Sequence, residues 1–335
     1  MIAPPATQSP VRELGSRERA APRAHPGRRR ACCAVPALLA LALCSSAARA
    51  DRPGLDHQVD EAVAGPGDPV RLGVWFGTPS SAPIYQRDAD RAMPAASVVK
   101  TAILVELFAA HAGHLDEPLG AAADAVLGDD RHPGMSPFSA AQRGEIRTAL
   151  RGATARTIGA IMMARKPASN AVYNAAANLA IASLGGPAEV TSKIRARDAA
   201  FAGVVVRRYM LAPRTAGGDN DATPAALAAV LAAVASGKLP GGVDAATADD
   251  IAQAMMQTTD AALGVHRHKE GNLDSDPMVC VKTGFYARGN GKPPLVYVVG
   301  AMLPARPSGS RDAAHRRLDK LTDAVRALLR AEASR

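Results

Sequence analysis

Two groups of strand-like segments, far apart in the chain, bracket a long helical stretch, and this order limits the possible folds. Val70 to Thr78 (VRLGVWFGT) is apolar and β-branched, and a second short run follows near Pro83 to Arg87. The pair reads as a hairpin. Met278 to Tyr286 and Pro294 to Leu303 read as strands again, split by Arg288-Gly289-Asn290-Gly291. Between them, from Ala96 to about Gly264, helical patterns run over 98–113, 140–164, 169–184, 224–237 and 246–262. Gly185-Gly186-Pro187 stops one helix and Thr223-Pro224 starts another. A last amphipathic helix spans 310–333, with Leu318, Leu321, Val325, Leu328 and Leu329 on one face. Distant strands of this kind join into one antiparallel sheet, and the final helix covers it. The expected class is α/β in the α+β sense. An α/β lobe is built from 51–92 and 264–335, and an all-helical lobe from 93–263 is inserted in it.

The first fifty residues read as an export leader. Arg28-Arg29-Arg30 is the positive end, Ala31 to Leu43 is apolar but short for a membrane span, and Ala48-Arg49-Ala50 is a small-residue cleavage site. The mature chain then starts near Asp51, and a periplasmic or secreted location is expected. Cys44 is poorly placed for lipid attachment, because Leu43 precedes it. Residues 1–50 hold eight arginines against two glutamates, so most of the formal charge of +9 belongs to the leader. The pI is therefore weak support for a polyanion partner, and 3% aromatic content offers few platforms for stacking bases. No nucleic-acid partner, membrane span or cofactor is expected, and the chain reads as a monomer. Three of the four cysteines fall in the leader, leaving Cys280 without a partner for a disulfide.

The chemistry concentrates at Ser97-Val98-Val99-Lys100. Residues three apart on a helix share a face, so hydroxyl and amine can meet. A serine hydroxyl needs a base to become a nucleophile, and a desolvated lysine can serve. Only Lys100 of the eight lysines has a serine three residues before it. The other basic residues are arginines, which do not deprotonate. The plain alternative is a helix-capping serine followed by a surface lysine. Further on, Ala168-Ser169-Asn170 opens a helix, and Lys282-Thr283-Gly284 lies on the strand 278–286, where it could form an anion-receiving edge.

Taken in this order, Ser-x-x-Lys, a Ser/Asn element and Lys-Thr-Gly resemble the serine β-lactamase and penicillin-binding protein superfamily, class A branch. The resemblance covers roughly residues 55–333. It implies a β-lactamase-like fold with the site between an all-helical and an α/β lobe. It also implies a small-molecule substrate, either a β-lactam or a peptidoglycan-like peptide. Ser97 matches the acylated nucleophile and Lys100 its base. Asn170 matches the side chain that holds the substrate amide, with Ser169 standing in for the proton-passing hydroxyl. Lys282, Thr283 and Gly284 match the carboxylate-binding edge. The N–H groups of Ser97 and Phe285 match the oxyanion hole.

Three departures from the family pattern stand out. Ala168 replaces the motif serine, and a second register four residues on puts Asn174 in place of Asn170, since Asn174 to Leu179 fits Asn-x-x-x-Asn-Leu. The loop Val206-Arg207-Arg208-Tyr209-Met210 lacks the family's water-activating glutamate, and Asp198, Asp219 and Asp221 sit at other spacings. Too few residues separate Lys282-Thr283-Gly284 from the last strand, so the sheet is expected to be one strand short, with Arg288 a possible substitute for a missing arginine. His266-Arg267-His268 reads as an exposed loop, His111 and His114 as helix-end residues, and no metal site is expected.

Overall fold

The computed structural model describes residues 53–334, apart from 65–66, 215–216 and 305. The leader and its cleavage site lie outside the described residues. Helix α1 (Pro53–Val63) precedes the hairpin of β1 (Arg71–Gly77) and β2 (Tyr85–Arg87). The short β3 (Met93–Pro94) leads into a 3₁₀ turn, Ala96–Val99, and helix α2 (Lys100–Ala110). Helices α3 (Ala121–Gly128), α4 (Ala140–Leu150), α5 (Ala155–Met162), α6 (Asn170–Ser183) and α7 (Pro187–Arg197) follow. After β4 (Asp221–Ala222) come α8 (Pro224–Ala235) and α9 (Ala245–Ala254). Four strands, β5 (Met256–Asp260), β6 (Gly264–Leu273), β7 (Met278–Ala287) and β8 (Leu295–Leu303), precede the final helix α10 (Arg311–Ala333).

The main sheet is antiparallel throughout, in the order β2-β1-β8-β7-β6-β5. β8 (LVYVVGAML) is buried along its whole length because it lies between β1 and β7 with helices over both faces. One face carries Val279, Val281, Phe285, Val296 and Val298, which pack into a core shared with the helices of the 96–254 segment. The other carries Met278, Cys280, Tyr286, Tyr297 and Val299, which pack with Val59 of α1 and with Leu318, Val325 and Leu329 of α10. Helix α10 follows the expected apolar stripe, and Thr223 caps α8 with Pro224 in its first turn.

The sheet has six strands, which corrects the expectation that it is one short. The additional strands are β5 and β6, in the stretch read as the end of a helix followed by a loop. The helix expected over 246–262 stops at Ala254, and β5 joins the sheet although it falls within 93–263. His266 and His268 lie on β6 and are buried, not exposed in a loop. The helix expected over 140–164 is two helices, broken where Gly152 adopts φ 66° and Thr154 caps α5.

Candidate active site

Ser97 sits in the 3₁₀ turn directly before α2, and Ala96 before it holds φ 48°. A non-glycine residue in this region is strained, and such strain persists only where its surroundings enforce it. The enforcement is visible: Ala95 N–H donates to Asn220 O at 2.8 Å, and Val98 N–H donates back to Ala95 O. Lys100 is the first residue of α2 and is fully buried. Its Nζ donates to Asn174 Oδ1 at 2.9 Å and lies 3.2 Å from the centroid of the Tyr173 ring.

Burial first, and the nearby Lys269 charge second, hold the Lys100 amine well below the ordinary lysine range. The ring face of Tyr173 favours the ammonium, by about 2 kcal/mol for a desolvated pair. Stripping water from an ammonium costs several kcal/mol. Burial therefore dominates and favours the uncharged amine, the form that can take a proton.

The asparagine beside this amine is Asn174, which corrects the register built on Asn170. Asn174 lies one helical turn inside α6 and is buried, and its Nδ2 donates to Asn170 O and Oδ1, both at 3.0 Å. Asn170 is exposed and orients Asn174. Ser169 is the N-cap of α6, its Oγ accepting from Val172 N at 3.3 Å. That hydroxyl therefore serves the helix terminus.

The strand at the site is β6, not β7. A Cβ placed on Gly271 would lie 2.5 Å from Ser97 N, so only glycine lets the strand approach the Ser97 turn this closely. Lys269, two residues earlier, shares that face, is buried, and has its Nζ 5.3 Å from the Tyr173 ring centroid. Lys269-Glu270-Gly271 thus stands where Lys282-Thr283-Gly284 was expected. Lys282 points to the other face of the sheet, where its Nζ pairs with Asp319 at 2.8 Å and Asp323 at 2.7 Å on α10. Thr283 spends its hydroxyl on Lys269 O at 3.0 Å, which makes it a support one strand behind the site. Gly284 lets the Arg267 carbonyl pass close by. Phe285 is a core residue of an interior strand, paired with Arg267 and Val296, and does not line the cavity beside Ser97. Arg288 closes the turn after β7 by donating to Pro293 O, and it lines a different cavity from Ser97.

A cavity of about 440 Å³ opens beside Ser97. Its walls are Asn170, Tyr173 and Asn174 of α6, Arg208, Met210, Leu211, Asp219 and Asn220 of the loop before β4, and Asn272 to Ser275 at the end of β6. Asn178 fixes the loop by accepting from Met210 N at 2.6 Å and donating to Met210 O at 3.2 Å. Arg207 bonds Asp221 at 2.5 Å across the loop base. The one acid that the loop presents to this cavity is Asp219, and its Oδ1 is held by Arg208 at 2.5 Å and Arg214 at 3.0 Å. A carboxylate oxygen committed to two guanidinium groups is a poor base for water.

On the far side of β6, His266 bonds Thr258 and the Tyr297 hydroxyl and stacks on His268 with ring centroids 4.5 Å apart. Burial, then the neighbouring His268 and Arg326, push His266 down to about 3. Among the described residues no group of three His, Cys, Asp or Glu side chains is placed to hold a metal.

Lys269, Gly271 and Tyr173 are the site residues that sequence reasoning missed. The signal was present: Lys269 and Gly271 repeat the Lys-x-Gly spacing of Lys282 and Gly284, and the missing strand pointed to an unread segment before 278.

Fold and site together define a mixed α/β protein whose Ser-x-x-Lys turn packs against β6 at the wall of a cavity. The sequence pattern of the β-lactamase enzyme family matches residues 55–291, more than half of the chain, and the protein belongs to that family. Its architecture is similar to a β-lactamase from Burkholderia vietnamiensis, with a TM-score of 0.56, 20% identity, and coverage of 81% of this chain and 94% of that one. A β-lactamase from Xanthomonas campestris gives a TM-score of 0.57 at 19% identity, covering 82% and 97%. The class A β-lactamase of the last common ancestor of Gram-negative bacteria gives 0.57 at 18%, covering 82% and 98%. No curated protein matches the chain. Among the described residues no helix is long and apolar enough to cross a membrane.

Proposed function

We propose that this chain is an exported serine hydrolase that opens β-lactams through a Ser97 acyl-enzyme. The observation that carries the reading is the buried Lys100 amine, held by Asn174 in the same turn as Ser97. Ser97 Oγ adds to the lactam carbonyl carbon as its proton passes to Lys100 Nζ. The ring C–N bond then breaks, and the departing nitrogen takes the proton back. The N–H of Ser97 and that of Asn272, the residue after Gly271, receive the developing oxyanion. Lys269 supplies the positive charge for a substrate carboxylate, the role first assigned to Lys282. Water then hydrolyses the ester and regenerates Ser97.

One observation favours a second outcome, a long-lived adduct. The Asp219 oxygen nearest the loop arginines is tied up, and Met210 occupies the loop position fixed by Asn178. Among the described residues the one loop acid at the cavity has an oxygen committed to two arginines, so deacylation is slow. Intact-mass spectrometry of the mature chain with a penicillin tests both. A Ser97 adduct absent from Ser97→Ala supports the acyl-enzyme, and its decay with nitrocefin turnover marks a hydrolase. An adduct that persists marks a covalent β-lactam-binding protein. No adduct and no turnover overturns the proposal.

A further inference from the structure

The edge of β6 that faces Ser97 is short and bounded at both ends. β5 covers the first half of β6, and its ladder ends with Met256 opposite His268. The uncovered edge therefore runs from Lys269 to Leu273, about 13 Å at strand rise. Beyond Leu273, Arg214 ties the two walls of the cavity together. Its Nη1 donates to Asp276 O at 2.5 Å and its Nη2 to Ser275 Oγ at 2.6 Å, while its Nε meets Asp219 Oδ1 at 3.0 Å. Asp219 belongs to one wall and Ser275 to the other. The three contacts use the whole guanidinium fork, a geometry that lysine cannot reproduce.

We propose that Arg214 is a specificity-determining residue that restricts this cleft to acyl compounds with short acyl substituents. The inference rests on the acyl-enzyme reading above. A carbonyl attacked by Ser97 sits opposite Gly271, and the strap lies beyond Leu273, two residues further along. A substituent directed along β6 has about 7 Å to the end of the strand at Leu273, and past that end it meets the strap that joins Ser275 and Asp276 to Asp219. The ligand is then a small carboxylate-bearing acyl compound, its carboxylate toward Lys269 and a short group toward Leu273. An internal segment of a polymer would have to run past both ends of this edge.

The test compares two penams that share one core, one acylated with acetate and one with a dipeptide. Acylation rate constants at Ser97 are measured by intact mass on the mature wild type and on Arg214→Ala. Thermal unfolding checks that the variant is folded, and Arg214→Gln serves if it is not. Wild type is expected to favour the acetyl compound by about tenfold or more, the scale at which a closed pocket rejects added bulk. The variant is expected to narrow that preference to about threefold or less by accelerating the long compound alone. Equal wild-type rates, or a variant that slows both compounds alike, overturn the role of Arg214. Absence of any Ser97 adduct in either protein instead overturns the acyl-enzyme reading, and this inference with it.

Discussion

Glu270 stands directly opposite Lys282 across the β6–β7 ladder, and Lys269 opposite Thr283. Opposed residues in an antiparallel pair share a face, and neighbours along a strand alternate. Glu270 and Lys282 therefore face α10, while Lys269 and Thr283 share the face of Gly271, against the Ser97 turn. Two Lys-x-Gly segments lie side by side in the sheet and serve different faces. One lysine lies beside Tyr173 and the other anchors α10.

Exchange of each lysine should separate these roles. Lys269→Met should weaken acylation by carboxylate-bearing β-lactams by about tenfold or more, the worth of one charge-assisted contact, with little change in melting temperature. Lys282→Met should leave acylation intact and cost about 1–2 kcal/mol of stability. That figure is modest for a broken ion pair because Asp319 and Asp323 are about half exposed and therefore screened. The hydrogen bond from Lys282 holds the Asp319 carboxyl below its ordinary 3.8. Its contribution is full above that value and is lost as pH falls below it. Acid unfolding of Lys282→Met should show a shallower loss over that range, read by circular dichroism.

The depressed Lys100 amine sets a second expectation. Acylation requires the uncharged form, so the rate should hold above the folded-state value and fall as pH drops through it. Removing the Lys269 charge removes the second cause of the depression. The acid limb of the rate profile should then move to higher pH in Lys269→Met, whatever the amplitude. Lys100→Met should lower acylation by about 10²–10⁴-fold, the worth of a general base. Linkage gives a further sign. Between the folded-state value and 10.5 the unfolded chain binds more protons at Lys100, so stability rises with pH across that window. Lys100→Met should flatten that rise in denaturant titrations at stepped pH.

Sequence legibility divided along physical lines. Ser97 and Lys100 were readable because a serine and a lysine one turn apart need only helix geometry to meet. Strands β1, β7 and β8 were readable because both faces are buried and their residues are apolar or β-branched. β6 was not, since GVHRHKEGNL has a site on one face and a polar histidine cluster on the other. Such a strand carries no alternation of apolar and polar residues for periodicity to find. Its neighbour decided the error: Lys282-Thr283-Gly284 lay on an obvious strand and absorbed the motif. The cap sequence around Asn170 favours it over Asn174 when the sequence is read alone. That sequence does start α6, but the amide that meets Lys100 lies one turn further in.

The two asparagines give a direct check on that register. Asn174→Ala removes the acceptor for Lys100 Nζ and strands a buried amine. It should reduce acylation by about 10²-fold or more, the scale of a lost buried contact to a reacting group. Asn170→Ala removes only an exposed partner of Asn174 and should reduce it by about tenfold or less. Paired acylation rates on one β-lactam decide between them, and a larger loss at Asn170 would reverse the assignment.

Gly271 offers the sharpest steric test of which strand faces Ser97. Alanine there would bring a methyl group to 2.5 Å from Ser97 N and 2.9 Å from Val98 N, both backbone atoms of the turn that holds the nucleophile. That turn is already strained at Ala96, and its neighbours on β3 and the loop before β4 fix it in place. The turn or β6 must shift, and a misplacement of about 1 Å at a reacting group costs about 10²-fold in rate. Gly271→Ala should therefore abolish most acylation. Val281→Ala, at the β7 residue opposite Gly271, serves as the control for packing. It should cost stability by about 1–2 kcal/mol through lost apolar burial and leave the acylation rate within about threefold. If the methyl at 271 were harmless to acylation while Val281→Ala abolished it, β7 and not β6 would be the strand that serves the nucleophile.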